Sequence, residues 1–174
     1  MQTEGAQRRL KIIELLSTKS DPITGTELAK YFGISRQVIV QDIALLRAEN
    51  RDILSTNKGY LLFKPPVEDH FCREVLHVKH TGEQIFDEMA AIVDLGGRML
   101  DVTIDHDLYG QIRSDLVIQN REDAAEFVRK VKESSSKPLC SLTDDCHYHT
   151  IAAPSPKALA LIKDTLRERG YLLE

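Results

Sequence analysis

The sequence predicts an α+β protein in two parts: a small helical segment closed by a hairpin, then a βαββαββα open sandwich. Three observations carry that expectation. Charge is split, with ten Lys and Arg against seven Asp and Glu in residues 1–64 (net +3) and thirteen against twenty in residues 65–174 (net −7). Apolar periodicity is helical in the first part and alternates between strand and helix periods in the second. Between them, Pro65-Pro66 cannot extend a ladder and stiffens the connection. The expected domains are therefore residues 1–64 and 72–174, joined by a linker at 65–71.

The first part reads as three short helices and a hairpin. Leu10, Ile12, Ile13, Leu15 and Leu16 give residues 8–16 one apolar stripe. Thr24 and Glu27 have capping-box spacing at the start of a second helix, which runs to Phe32 and stops at Gly33. Ser35 then caps a third helix reaching about residue 50. Asn57-Lys58-Gly59 is a turn triplet between two short apolar runs at 52–56 and 60–63. Helix, helix, tight turn, helix and hairpin is the order of a winged helix-turn-helix.

The third helix carries two different faces. At 100° per residue Ile39, Ile43 and Leu46 fall together, while Gln37, Gln41, Ala44 and Ala48 fall opposite. Polar side chains followed by small ones suit a helix that enters the major groove. Glutamine can pair with adenine in two hydrogen bonds, and Arg36 can take guanine or phosphate. Lys58, in the hairpin turn, is placed for phosphate. A solvated polar face on a core helix is the plainer alternative. The coincidence of Gly33, Ser35 and the trailing hairpin favours DNA, in a palindromic operator read by a homodimer.

In the second part, strands are expected at 74–80, 100–104, 114–118, 139–142 and 146–152, with an edge strand at 171–173. Helices are expected at 82–94, from Asn120 to about residue 134, and at 156–169. Five of the six histidines lie between His77 and His149. Within Cys146-His147-Tyr148-His149-Thr150, strand alternation puts His147 and His149 on one face, about 7 Å apart. Two such imidazoles can share one metal, or can simply be half-buried histidines. Glu88 sits three after Ile85 and four before Ile92, at the edge of a buried helical face where a carboxylate needs a partner. That partner is either a surface Lys or Arg, or His80 at the end of the preceding strand.

Two resemblances join these residues. Ser35-Arg36-Gln37-Val38-Ile39-Val40-Gln41-Asp42-Ile43 resembles the recognition segment of the winged-helix family of the biotin operon repressor. His80, Glu88, His147 and His149 resemble the metal site of the 3H domain over residues 72–174. Asp105-His106-Asp107-Leu108-Tyr109-Gly110 is similar to that domain's His-x-x-Tyr-Gly motif. The whole chain is similar to the niacin-responsive transcriptional repressors of bacteria. That resemblance implies nicotinate as co-repressor, with His106 and Tyr109 near it, and control of genes for NAD synthesis or niacin uptake. Three imidazoles and a carboxylate suit a divalent transition metal such as Zn, Ni, Fe or Mn. His106 has a second reading as a turn residue holding the backbone.

Other functions remain in view at this level. The cluster could itself sense a metal with no organic effector, or support a metalloenzyme by activating water. No further base or nucleophile is spaced for a reaction, so a non-enzymatic regulator is expected. No apolar run approaches the roughly 18 residues of a membrane span, and the N-terminus lacks a signal core. Cys72, Cys140 and Cys146 are an odd set without CxxC spacing, which points to a reducing cytoplasm.

Overall fold

The structure is a computed structural model that describes residues 4–49, 51–63 and 70–173. It divides into two compact units, Met1–Val67 and Glu68–Glu174. The expected Pro65-Pro66 junction lies outside the described residues. No helix among the described residues is long and apolar enough to cross a membrane.

The first unit comprises α1 (Glu4–Thr18), α2 (Gly25–Phe32), α3 (Arg36–Ala48), β1 (Ile53–Thr56) and β2 (Gly59–Leu62). Ile12 and Leu16 of α1, Leu28 of α2, Ile39, Ile43 and Leu46 of α3 and Ile53 of β1 close one apolar core. The start of α2 is fixed by a reciprocal cap. The Glu27 amide donates to Thr24 Oγ1 at 3.1 Å and the Thr24 amide donates to Glu27 Oε2 at 2.8 Å. Gly33 ends α2 at φ +66, a left-handed conformation that glycine adopts without steric cost. Ser35 follows as the α3 cap, accepting from the Val38 amide. The hairpin gains a third pairing, because Ile23 and Tyr60 exchange both main-chain hydrogen bonds at 2.8 and 2.9 Å. Gly59 is needed at that crossing, since a Cβ there would lie 2.5 Å from the Ile23 carbonyl oxygen.

The second unit is an antiparallel sheet packed against helices. Its elements are β3 (Cys72–Lys79), a 3₁₀ turn (Gly82–Gln84), α4 (Ile85–Val93), β4 (Arg98–His106), β5 (Gly110–Ile118), α5 (Arg121–Glu133), a second 3₁₀ turn (Leu139–Leu142), β6 (Cys146–Ala153) and α6 (Pro156–Glu168). The strands lie in the order β5-β4-β6-β3. Leu76, Val78, Met99 and Ile151 meet Ile85, Met89 and Ile92 of α4 and Ile162 of α6 in a single core.

Two elements differ from expectation within this α+β architecture. Residues 139–142 form a 3₁₀ turn rather than a strand. A four-residue stretch in which Ser141 interrupts Leu139, Cys140 and Leu142 has no decisive period, and here Pro138 enters it extended while Asp144 and Asp145, both at positive φ, turn the chain out of it. Residues 171–173 make an isolated bridge at Leu172 beside Val78. The Lys79 amide donates to the Tyr171 carbonyl and the Leu173 amide donates to the His77 carbonyl.

Candidate functional site: a buried histidine–glutamate cluster and an exposed helix face

Four side chains from three elements meet inside the second unit. His80 directly follows β3, Glu88 lies on the buried face of α4, and His147 and His149 point inward from β6. Pairing of β3 with β6 sets Val78 opposite His147 and Leu76 opposite His149, which carries His80 to the same end of the sheet. Thr81 and Gln84 then form a capping box that turns the chain from His80 into α4. One ligand atom from each of the four residues lies within 4.8 Å of the others. The site is closed to solvent: Glu88 is 1% exposed, His147 2%, and His80 and His149 4%.

The hydrogen bonds fix what these groups present. Each Nδ1 faces a main-chain carbonyl: His80 to Thr81 at 3.0 Å, His147 to Asp145 at 2.9 Å and His149 to Asp101 at 2.6 Å. A carbonyl can only accept, so each Nδ1 carries a hydrogen and each Nε2 is turned inward. Glu88 Oε2 lies 2.7 Å from His80 Nε2 and 3.4 Å from His149 Nε2. Lone pairs that close would repel, so positive charge, as protons or as a metal ion, belongs among them. Burial alone would raise Glu88, but the charges and hydrogen bonds of His149 and His80 outweigh it and hold the carboxyl well below its ordinary range. Burial likewise pulls His80 and His149 down, and Glu88 reverses both, so each lies above the usual histidine value. His147 is different: burial, then repulsion from His149, push it down to about 4, leaving a neutral imidazole at pH 7.

One atom tests whether the set suits a metal. Glu88 Oε1 is buried without a hydrogen-bond partner among the described residues. An orphaned carboxylate oxygen in a dry site costs free energy unless a cation meets it. Three inward Nε2 atoms with main-chain partners on their Nδ1 atoms are also the arrangement in which histidines ligate metals. The donor set fits a divalent transition metal.

His106 and Tyr109 lie elsewhere. His106 ends β4, and its Nδ1 accepts from the Leu108 and Tyr109 amides at 3.2 and 3.4 Å, a backbone-holding role. The Tyr109 ring is exposed, 5.0 Å from that of His106. His106 borders an open cavity of about 480 Å³ with His77, Asp105, Cys146 and Tyr148. Cys146 and Tyr148 alternate with His147 and His149, so this cavity lies against the opposite face of β6.

In the first unit, Gln37, Gln41, Ala44 and Ala48 are all exposed on α3, opposite the buried Ile39, Ile43 and Leu46. Arg36 is exposed at the start of the helix, one residue after Ser35, and Lys58 occupies the hairpin turn with its amide on Thr56 Oγ1. Among the described residues, three buried carboxylates, Asp42, Asp101 and Asp123, escaped the sequence reading. Asp42 of α3 takes Arg8 at 2.6 Å and Arg9 at 3.6 Å from α1. Its signal was a charge between Ile39 and Leu46 on the buried stripe. Asp101 of β4 is 2% exposed and bonds the strand that bears His149.

Comparison with known proteins agrees with both units. Residues 8–61 match an HTH domain and residues 73–174 match the 3H domain. The chain is 35% identical over 176 residues to the "probable transcription repressor NiaR" of Thermotoga maritima, covering 100% of this chain and 98% of that one. It is also 35% identical over 171 residues to the "transcription repressor NadR" of Bacillus subtilis, covering 98% and 95%. Both relatives are named as transcription repressors, and both matches extend across the two units found here. An exposed helix face on an HTH domain, followed by a 3H domain and matched end to end by repressors, places this chain in the family of DNA-binding transcription repressors that join an HTH domain to a 3H domain.

Proposed function

We propose that the chain is a metal-dependent repressor that takes nicotinate as co-repressor and controls genes for NAD synthesis or niacin uptake. In this reading residues 1–64 bind a palindromic operator, with Ser35, Arg36, Gln37 and Gln41 on the groove and Lys58 on phosphate. Residues 72–174 regulate. The observation that carries the metal is a buried Glu88 whose Oε1 has no hydrogen-bond partner among the described residues, set among three inward imidazoles in a closed site. His80, Glu88, His147 and His149 hold the ion, which supplies a Lewis-acidic centre for a ligand carboxylate. The nicotinate assignment rests on the resemblance to niacin-responsive repressors and on full-length similarity to the two repressors above. The same resemblance puts His106 and Tyr109 near the ligand, but His106 borders the opposite face of β6 from the cluster, so neither is a contact of a nicotinate bound at the metal. The acidic Asp105 and Asp107 on the His106 cavity disfavour a carboxylate there, so the carboxylate end of nicotinate belongs at the metal.

A homodimer is part of this proposal, because one winged helix covers too little DNA for gene-level specificity. The test is operator binding by fluorescence anisotropy, with and without nicotinate, before and after chelation. Nicotinate should tighten binding and chelation should abolish that gain. Sedimentation in the same buffer should give a dimer; a monomer at micromolar concentration excludes the palindromic mode.

The closure of the cluster favours a second reading, a repressor that senses the metal itself. Four protein ligands with almost no exposure resemble a structural site more than an open one. Metal alone would then shift operator affinity and nicotinate would add nothing.

A further inference from the structure

The three imidazoles of the cluster are oriented in two different ways. His80 and His147 donate to carbonyls one and two residues away, so local chain geometry holds them. His149 donates to the carbonyl of Asp101, 48 residues distant, and only tertiary structure can hold it. That carbonyl is available because the ladder is irregular here. The pairing of β4 with β5 shifts between Met99 and Asp101, and its pairing with β6 shifts between Met99 and Thr103. A bulge frees one residue from the ladder and re-aims its polar groups.

Asp101 then grips β6 twice. Its carbonyl takes His149 Nδ1 at 2.6 Å, and its Oδ1 takes the Thr150 amide at 2.8 Å. Its other oxygen, Oδ2, lies 3.0 Å from Arg113 Nη2 on β5, which also reaches Asp115 at 3.3 Å. Asp115 is the direct cross-strand neighbour of Asp101, so two carboxylates would face each other without the guanidinium between them. Arg113 is itself largely exposed, its side chain 61% accessible.

We infer that Asp101 and Arg113 are positioning residues for the metal centre: Arg113 holds Asp101 against β6, and Asp101 aims His149 Nε2 at the cluster. This rests on the metal reading of the cluster. It makes a surface arginine, remote from every ligand in the sequence, a determinant of metal affinity. Partners of this kind typically matter by 10–100-fold in metal affinity.

The experiment uses the full chain and Co(II) as probe. Wild type, Arg113→Met, Arg113→Lys and Asp101→Asn are titrated by visible absorption in competition with a chelator. Arg121→Met, which removes a comparable exposed pair with Asp94, is the control. The exchangeable Nδ1–H resonances of the three histidines are followed in the metal-free and loaded protein, and metal-free melting verifies the fold. Arg113→Met should bind Co(II) about tenfold or more weakly, Arg113→Lys should recover most of that loss, and Arg121→Met should match wild type. The His149 resonance should move while those of His80 and His147 stay. Unchanged Co(II) affinity and an unmoved His149 resonance in both Arg113→Met and Asp101→Asn would overturn the inference. If wild type takes up no Co(II), the metal reading itself fails. The metal-free His149 resonance then decides separately, supporting the Asp101 grip if Arg113→Met moves it and refuting the grip if it does not.

Discussion

Glu88 carries an opposition of forces that few single residues show. Its carboxylate is buried and would be neutralised by desolvation, yet two histidines keep it ionised, and one of its oxygens has no partner among the described residues. Breaking a buried pair by removing one member strands the other, at a cost of about 3–5 kcal/mol. Glu88→Ala should therefore destabilise the protein by that order in the presence of chelator, measured by urea unfolding, and should also remove metal-dependent stabilisation. Wild-type stability in the variant would mean that the cluster stores no charge. On α3, Gln37 and Gln41 are exposed side by side with small alanines. Gln37→Ala and Gln41→Ala should each cost about 1–3 kcal/mol on the operator and little on random duplex. Equal losses on both DNAs would assign the reading to other residues.

Elements are fixed largely by their ends. The start of α2 depends on Glu27, whose carboxyl is held below its usual range by the Thr24 amide and then by the Thr24 hydroxyl. A lowered folded value means that the stabilisation is present above the unfolded carboxyl range, about 4.3, and is lost as pH falls through the folded value. Wild type should melt above Glu27→Gln at pH 7, and the gap should close once the pH has fallen below the lowered folded value. A gap that survives acid would show that the carboxylate charge is not what the cap uses. The same logic of ends explains residues 139–142. Their apolar content asked for burial, and only Pro138 before them and the two positive-φ aspartates after them decide that this comes as a turn. That turn has a consequence for the cluster, because Asp145 is the residue whose carbonyl orients His147.

At the scale of the molecule, the proposed co-repression requires that events in the second unit alter DNA affinity in the first. If nicotinate tightens operator binding, linkage obliges the operator to tighten nicotinate binding by the same factor, typically 5–150-fold. Calorimetric titration of nicotinate with and without operator should show this in wild type. His149→Ala should lose nicotinate and metal together, because it removes one of the four proposed ligands beside His147, yet retain ligand-free DNA binding. Identical nicotinate affinities with and without operator would end the co-repressor proposal even with a metal in place.

The sequence by itself determined whatever depends on neighbours a few residues apart. The two faces of α3, the Thr24–Glu27 cap, the turn at Gly33 and the shared face of His147 and His149 all follow from helix and strand periods acting over one or two turns. The place of Glu88 was legible for the same reason, since Ile85 and Ile92 fix which side of α4 is buried. Tertiary structure alone decided the remainder. His80 reaches Glu88 through the β3–β6 register and the turn into α4, and His106 is drawn to the far face of the sheet. Asp101 could not be found from alternation at all, because the bulge that gives it its role is where strand periodicity breaks. Local periods specify which way a side chain points along its own element; register, bulges and packing specify what it meets there.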